Sequence, residues 1–410
     1  MGLAGVYLVK YTFDNNLLSP MVRVMLGGLF GAALLIAGEF MRKRSRRIGE
    51  ALTGAGVVDL YACILAAVTL YKFMSPAAGF GVMAVVTALA IVLSLRHGQG
   101  VAILGLLGGF SMPLLLGGKA ESLVPLLSYL TLLQVAIVII ARSRVWSGLL
   151  WLCLLAGGAW LLLLAIVHEG DGHRFMLQVF ALLMVGLYIA GSWSGVGQLT
   201  SDTHETPGTP VPAGGRYRKW TAGDFCGMTG ILALIILAYR GDYGQTDMLM
   251  FGLLGAGLMI LARIRPAYLK LVELAGVATV VLLAISITKQ TELGLYPVSG
   301  SLAGSFWGLG ALYVFGSYLA MWGSGRESFW ATRSAAAGLC VGLLGIMAYG
   351  SWPVWGIEGL RFWMLIIALA GVYAIMAIPC WLRRGLSDEM EQALEVLAVT
   401  AAGLLAIAAH

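Results

Sequence analysis

The sequence predicts an all-α polytopic membrane protein of about fourteen transmembrane helices, and three observations carry that reading. The 410 residues are 60% hydrophobic and 11% charged, with a mean hydropathy of +0.89, whereas a soluble domain carries about 25% charged residues. Apolar runs recur from end to end, and about twenty residues at about 1.5 Å each cross a hydrocarbon core of roughly 30 Å. Lys and Arg collect in alternate loops, which carry about twice as many of them as the intervening loops and flanks, as the positive-inside rule requires.

The first hairpin sets the orientation. Lys10–Pro20 is a polar loop with the turn residues Asn15, Asn16, Ser19 and Pro20. Met21–Phe40 is apolar, and Arg42-Lys43-Arg44-Ser45-Arg46-Arg47 follows. Basic clusters beside a span stay cytoplasmic. The Arg42–Arg47 loop is therefore expected inside a bacterial inner membrane, with the Asp14 loop in the periplasm. Gly2–Val9 is too short to span; it is either an interfacial segment or the end of a helix that begins upstream.

Thirteen further spans are expected at Glu50–Lys72, Pro76–Leu95, Gln99–Gly117, Ser122–Ala141, Trp146–Val167, Phe175–Trp193, Thr221–Tyr239, Asp247–Ala262, Leu269–Thr288, Ser301–Trp322, Phe329–Tyr349, Arg361–Leu382 and Glu389–Ala409. Val196–Lys219 is the one long polar stretch, rich in Thr and Pro, and reads as a flexible cytoplasmic linker. It divides the chain into a first membrane half, 1–195, and a second, 220–410. Gly27–Ala32 with Glu50-Ala51-Leu52 resembles Gly252–Gly257 with Glu273-Leu274-Ala275. Either the chain is built from tandem two-helix units, or two glycine-rich helices are alike by chance.

Composition also narrows the chemistry. The formal net charge of +6 follows from the loop bias and is not a nucleic-acid surface. Five cysteines (Cys63, Cys153, Cys226, Cys340, Cys380) lie in apolar segments without a Cys-x-x-Cys pair, so they read as small packing residues. His168-Glu169-Gly170-Asp171-Gly172-His173 has no ordinary zinc spacing and reads as a solvated loop. No cofactor is expected.

Asp59 is the sharpest functional signal. It lies nine residues past Glu50, roughly 14 Å into its span, where a charge costs about 2.5–3.5 kcal/mol. It must face the bundle interior, paired or protonated, as a proton or substrate site or as a neutral hydrogen-bonded acid. In the outer loop, Asp14, Asn15 and Asn16 can cap the next helix, with Pro20 in its first turn; the alternative is a polar headgroup site that includes Arg23. Gly105-x-x-Gly108-Gly109-x-x-x-Pro113 lacks the Lys-Ser/Thr of a phosphate loop. It serves either close helix packing or a helix break that opens backbone to a substrate. Gly27/Gly31, Gly304/Gly308 and Gly338/Gly342 fit tight crossings. Asp224 and Glu273 suit helix N-termini, Glu39 and Glu50 offset the first basic loop, and Gln134 and Gln178 read as interhelical hydrogen bonds.

Lys10-Tyr11-x-Phe13-Asp14-Asn15-x-x-Leu18-Ser19-Pro20-x-x-Arg23 and Gly105-Leu106-Leu107-Gly108-Gly109-Phe110-x-x-Pro113-Leu114-Leu115 resemble a bacterial family of predicted multi-pass membrane proteins known only as a domain of unknown function. The similarity is close over about residues 1–165 and weaker beyond. It implies a polytopic inner-membrane protein and no reaction; longer members carry a further N-terminal region. Three functions remain open. The first is transport or flipping of a lipid or envelope precursor, with membrane lipids as partners and Asp59, Asp14, Asn15, Arg23, Gly108, Gly109 and Pro113 as candidate contacts. The second is a non-catalytic scaffold for membrane-protein partners. An intramembrane enzyme ranks last, because no nucleophile–base pair is recognisable.

Overall fold

A computed structural model describes residues 19–116, 123–167, 171–193, 221–241, 243–292, 300–347, 362–385 and 387–409. Fourteen α-helices account for nearly all of them, and no strand occurs among the described residues. They are α1 Pro20–Arg42, α2 Arg46–Leu65, α3 Pro76–His97, α4 Gln99–Leu116, α5 Val124–Arg144, α6 Ser147–Val167 and α7 Asp171–Ser192. The remainder are α8 Ala222–Arg240, α9 Gln245–Ile264, α10 Leu269–Glu292, α11 Gly300–Met321, α12 Glu327–Met347, α13 Phe362–Leu382 and α14 Asp388–Ala409. Each apolar segment read from the sequence contains one helix. Among the described residues ten helices are long and apolar enough to cross a membrane, and Gln99–Leu115 and Ile366–Leu382 are shorter apolar stretches. Length and composition therefore establish ten candidate spans, against the fourteen expected. The Val196–Lys219 linker lies outside the described residues.

Helix ends follow local chemistry. Ser19 caps α1 by accepting from the Val22 amide at 3.5 Å, with Pro20 in the first turn, so the cap is this serine. Ser75-Pro76 repeats the device at α3, where the serine accepts from the Ala78 amide at 3.2 Å. A single residue, Gly98, separates α3 from α4. Its φ of 125° is open only to glycine, and a Cβ there would press on the Glu50 carboxylate.

The described helices form two compact units. In the unit that holds residues 1–160, α1–α2 and α3–α4 are antiparallel hairpins, and α2 packs on both α3 and α4. The unit that holds residues 224–410 contains a similar quartet: α11–α12 and α13–α14 are hairpins, and α12 packs on α13 and α14. In both quartets a glutamate cap joins the second and fourth helices, in opposite senses. Glu50 in the first turns of α2 accepts the Gly100 amide at the start of α4, at 2.8 Å. Glu389 in the first turn of α14 accepts the Ser328 amide at the start of α12, at 3.1 Å. This pairing is not the one that the sequence similarity picks out. Gly31 faces Asp59 whereas Gly255 faces Tyr313, and Glu50 caps a helix whereas Glu273 pairs with Arg333.

The α1–α2 crossing is made by small residues spaced seven apart, Gly31 and Gly38 on one helix and Gly49, Gly56 and Cys63 on the other. A seven-residue spacing keeps them on one face of each helix. A Cβ on Gly56 would stand 2.8 Å from the Gly31 carbonyl, and one on Gly49 would stand 2.9 Å from the Gly38 carbonyl. The backbones touch because no side chain intervenes. Gly56→Ala should cost about 1–3 kcal/mol by overpacking, while Gly28→Ala, which meets nothing within 4 Å, should be neutral or slightly stabilising. Thermal unfolding in detergent micelles measures both.

Candidate functional site

Asp59 sits midway along α2 and the π-helical turn Ala66–Leu70 that extends it. Its side chain is turned to α1, where a Cβ on Gly31 would meet Asp59 Oδ2 at 2.8 Å and Leu60 at 3.0 Å. Asp59 Oδ2 is closed to solvent and has no hydrogen-bond partner among the described residues. Glycine at 31 thus makes room for the Asp59 carboxyl against the α1 backbone.

Two turns nearer the basic loop lies a second such atom. Thr53 is fully buried against Gly38, and its hydroxyl also lacks a partner among the described residues. Glu39 follows on α1 and meets Arg42 at 3.1 Å, Arg96 at 3.6 Å and His97 Nε2 at 3.3 Å. His97 is fully buried; its Nδ1 lies 3.1 Å from the Leu93 carbonyl and donates to it. Asp59, Thr53, Glu39 and His97 therefore mark a line of polar groups from mid-helix to the basic end of this hairpin. Sequence reasoning missed Thr53 and His97. A lone Thr in a glycine-rich helix and a His beside Arg96 carry no distinctive pattern.

The glycine motif of α4 occupies the opposite side of α2. Asp59 and Tyr61 are two residues apart, about 200° around a helix, and the Tyr61 ring packs against Gly108. The Tyr61 hydroxyl lies 2.8 Å from that of Thr87 and 3.4 Å from the Gly105 carbonyl. Helix α4 continues through Pro113 to Leu116. Proline cannot donate to the carbonyl four residues earlier, and that carbonyl, Gly109, instead accepts from the Tyr129 hydroxyl at 3.1 Å. The Phe110 carbonyl accepts from Trp160 Nε1 at 2.9 Å. Gly105, Gly108 and Gly109 let Ala90, Tyr61 and Tyr129 close on this backbone. The structure brings Gly108, Gly109 and Pro113 together with these aromatic donors, and places Asp59 away from them. Arg23 lies near the start of α1, half-buried; Asp14 and Asn15 lie outside the described residues.

Other expectations divide. Gln178 donates to Asp247 of α9 across a helix interface, and Arg174 Nε stands 3.7 Å from the same carboxylate. The Gln134 amide is buried against Gly157 with no hydrogen-bond partner among the described residues. Asp224 is in the first turn of α8, as expected. Gly27 and Gly31 close on α2, and Gly338 closes on Tyr373. Gly304 and Gly308 instead meet nothing within 4 Å and line an open groove with Gly252 and Ala256. All five cysteines are free. His168 and Glu169 lie outside the described residues, and no cluster of three metal-ligating side chains occurs among the described residues.

Over residues 1–410 the chain matches the family described as Predicted membrane protein (DUF2339). It belongs to that family. No curated protein and no solved structure matches it. The resemblance seen in the first 165 residues thus extends over the whole of this DUF2339 chain. Tyr129→Phe should cost about 1 kcal/mol by orphaning the Gly109 carbonyl. In a Pro113→Ala background, where a backbone amide can take that carbonyl, the same change should cost less. A double-mutant cycle of unfolding in micelles checks the coupling.

Proposed function

We propose that this DUF2339 protein moves a lipid or a lipid-linked envelope precursor across the bacterial inner membrane, with the Asp59 carboxyl as a proton carrier. Fourteen spans, the Arg42–Arg47 loop in the cytoplasm and the Asp14 loop in the periplasm complete this reading; Asp14, Asn15 and Arg23 meet the headgroup outside. Gly108 packs on Tyr61 on the side of α2 that Asp59 does not face, while Gly109, whose carbonyl Pro113 frees, meets Tyr129 of α5. The observation that carries it is the Asp59 Oδ2 atom, closed to solvent and without a partner among the described residues. Intramembrane acids are costly and mark proton or substrate pathways, and Thr53, Glu39 and His97 are polar groups placed between Asp59 and the basic end of the helix.

A second reading, a non-catalytic scaffold, draws on the groove between α9 and α11. Its small residues Gly252, Ala256, Gly304 and Gly308 suit close approach by a helix of another membrane protein. Proteoliposomes loaded with fluorescent phospholipid separate the two. Transport predicts lipid movement that a proton gradient modulates and that Asp59→Asn abolishes while Asp59→Glu retains part. Protein that moves no lipid, or moves it equally with Asp59→Asn, would sink the reading and leave the scaffold.

A further inference from the structure

Helices α10, α11 and α12 leave a cavity of about 230 Å³ between them. Its walls are aliphatic or aromatic, with Val277, Val281, Phe306, Leu309 and Leu344 prominent. The exceptions inside are Ser317 and the Thr279 and Tyr313 hydroxyls, the last two 3.2 Å apart. The ion pair of Glu273 and Arg333 closes one end. About a third of each of these two side chains is exposed, so the pair can be reached from outside the cavity. Arg333 lies over the Phe329 ring, 5.0 Å from its centroid. Its Nε is closed to solvent and has no hydrogen-bond partner among the described residues.

Length and charge together name an occupant. From Glu273 to Leu283 on α10, and from Arg333 to Leu344 on α12, the walls run for about 15 Å at helical rise. One leaflet of the hydrocarbon core is about as deep, half of roughly 30 Å. The charged pair lies in the second turn of both helices, and the apolar walls run on from it toward their C-terminal ends. A side-by-side cation and anion complements a headgroup with both charges. We infer that the cavity holds one acyl chain of a zwitterionic phospholipid with an ammonium headgroup, the phosphate on Arg333 and the ammonium on Glu273. This goes beyond the transport reading, because binding at this cavity does not depend on Asp59.

The test uses the full chain in nanodiscs containing phosphatidylethanolamine with a photoreactive diazirine in its acyl chain. Adducts are mapped by mass spectrometry. They should concentrate on cavity residues such as Ala336, Ala337 and Cys340, above the level on the exposed face of α1, and Asp59→Asn should leave them unchanged. Gly276 lines the cavity, and a Cβ on it makes only ordinary contact with Tyr313 at 3.6 Å. Gly276→Leu should fill the cavity and remove most of these adducts. Phosphatidylglycerol carrying the same chain should label less, and Arg333→Gln should lower phosphatidylethanolamine labelling about tenfold, as for loss of a hydrogen bond to a charged group. Cavity adducts no denser than those on α1, equal labelling by phosphatidylglycerol, or labelling indifferent to Gly276→Leu would each overturn the assignment. The wild-type map decides by itself if a variant fails to fold.

Discussion

A backbone carbonyl in hydrocarbon has no water to accept from, so every one that leaves the helical ladder must find a donor within the protein. Most of the polar architecture here answers that demand. Pro113 frees the Gly109 carbonyl and Tyr129 takes it; Trp160 takes the Phe110 carbonyl. At helix ends the donors are cations. Arg144 reaches the Leu95 carbonyl at 3.0 Å, Arg142 the Ala190 carbonyl at 3.2 Å, and Arg263 the Trp322 carbonyl at 3.1 Å. Lys289 reaches the Tyr239 carbonyl at 3.0 Å. Three of these four, Arg142, Arg144 and Arg263, come from the alternate basic loops of the sequence, and all four cap the negative ends of helices.

Against that background the unmet groups stand out. Asp59 Oδ2 and the Thr53 hydroxyl are closed off without partners among the described residues, and both face glycines of α1. The α1–α2 contact produces this. Helices that touch through Gly31, Gly38, Gly49 and Gly56 leave no room for a second polar side chain opposite the acid. An acid is costly within a membrane. Gln134 shows that the argument needs more than an orphaned atom. Its amide is equally unpaired against Gly157, yet it carries no charge and no polar line leads from it.

Much of the helix map was legible because hydropathy and turn residues are local signals. Ser19-Pro20 and Ser75-Pro76 start helices where such pairs should, and basic loops join the two helices of each hairpin. The site was legible at one residue. Asp59 stood out because a charge among twenty apolar residues is rare, whereas Thr53, His97, Tyr61 and Tyr129 look ordinary until their neighbours are known. Glycine and a following Glu recur in α1–α2 and α9–α10, but the shared packing pattern and the shared glutamate cap relate α1–α4 to α11–α14.

What the sequence by itself determined is the class, helices in lipid with no strand expected, and the positions of the helices along the chain. Length, apolarity and charge act residue by residue, so they need no knowledge of neighbours. Only the tertiary structure decided that Gly108 and Asp59 lie on opposite sides of α2, that Glu273 meets Arg333, and that three helices line an apolar cavity behind that pair. Those facts depend on helix rotation and crossing. Both are set by which small residues let two backbones meet, and a linear pattern of glycines does not say which helix will fill each gap.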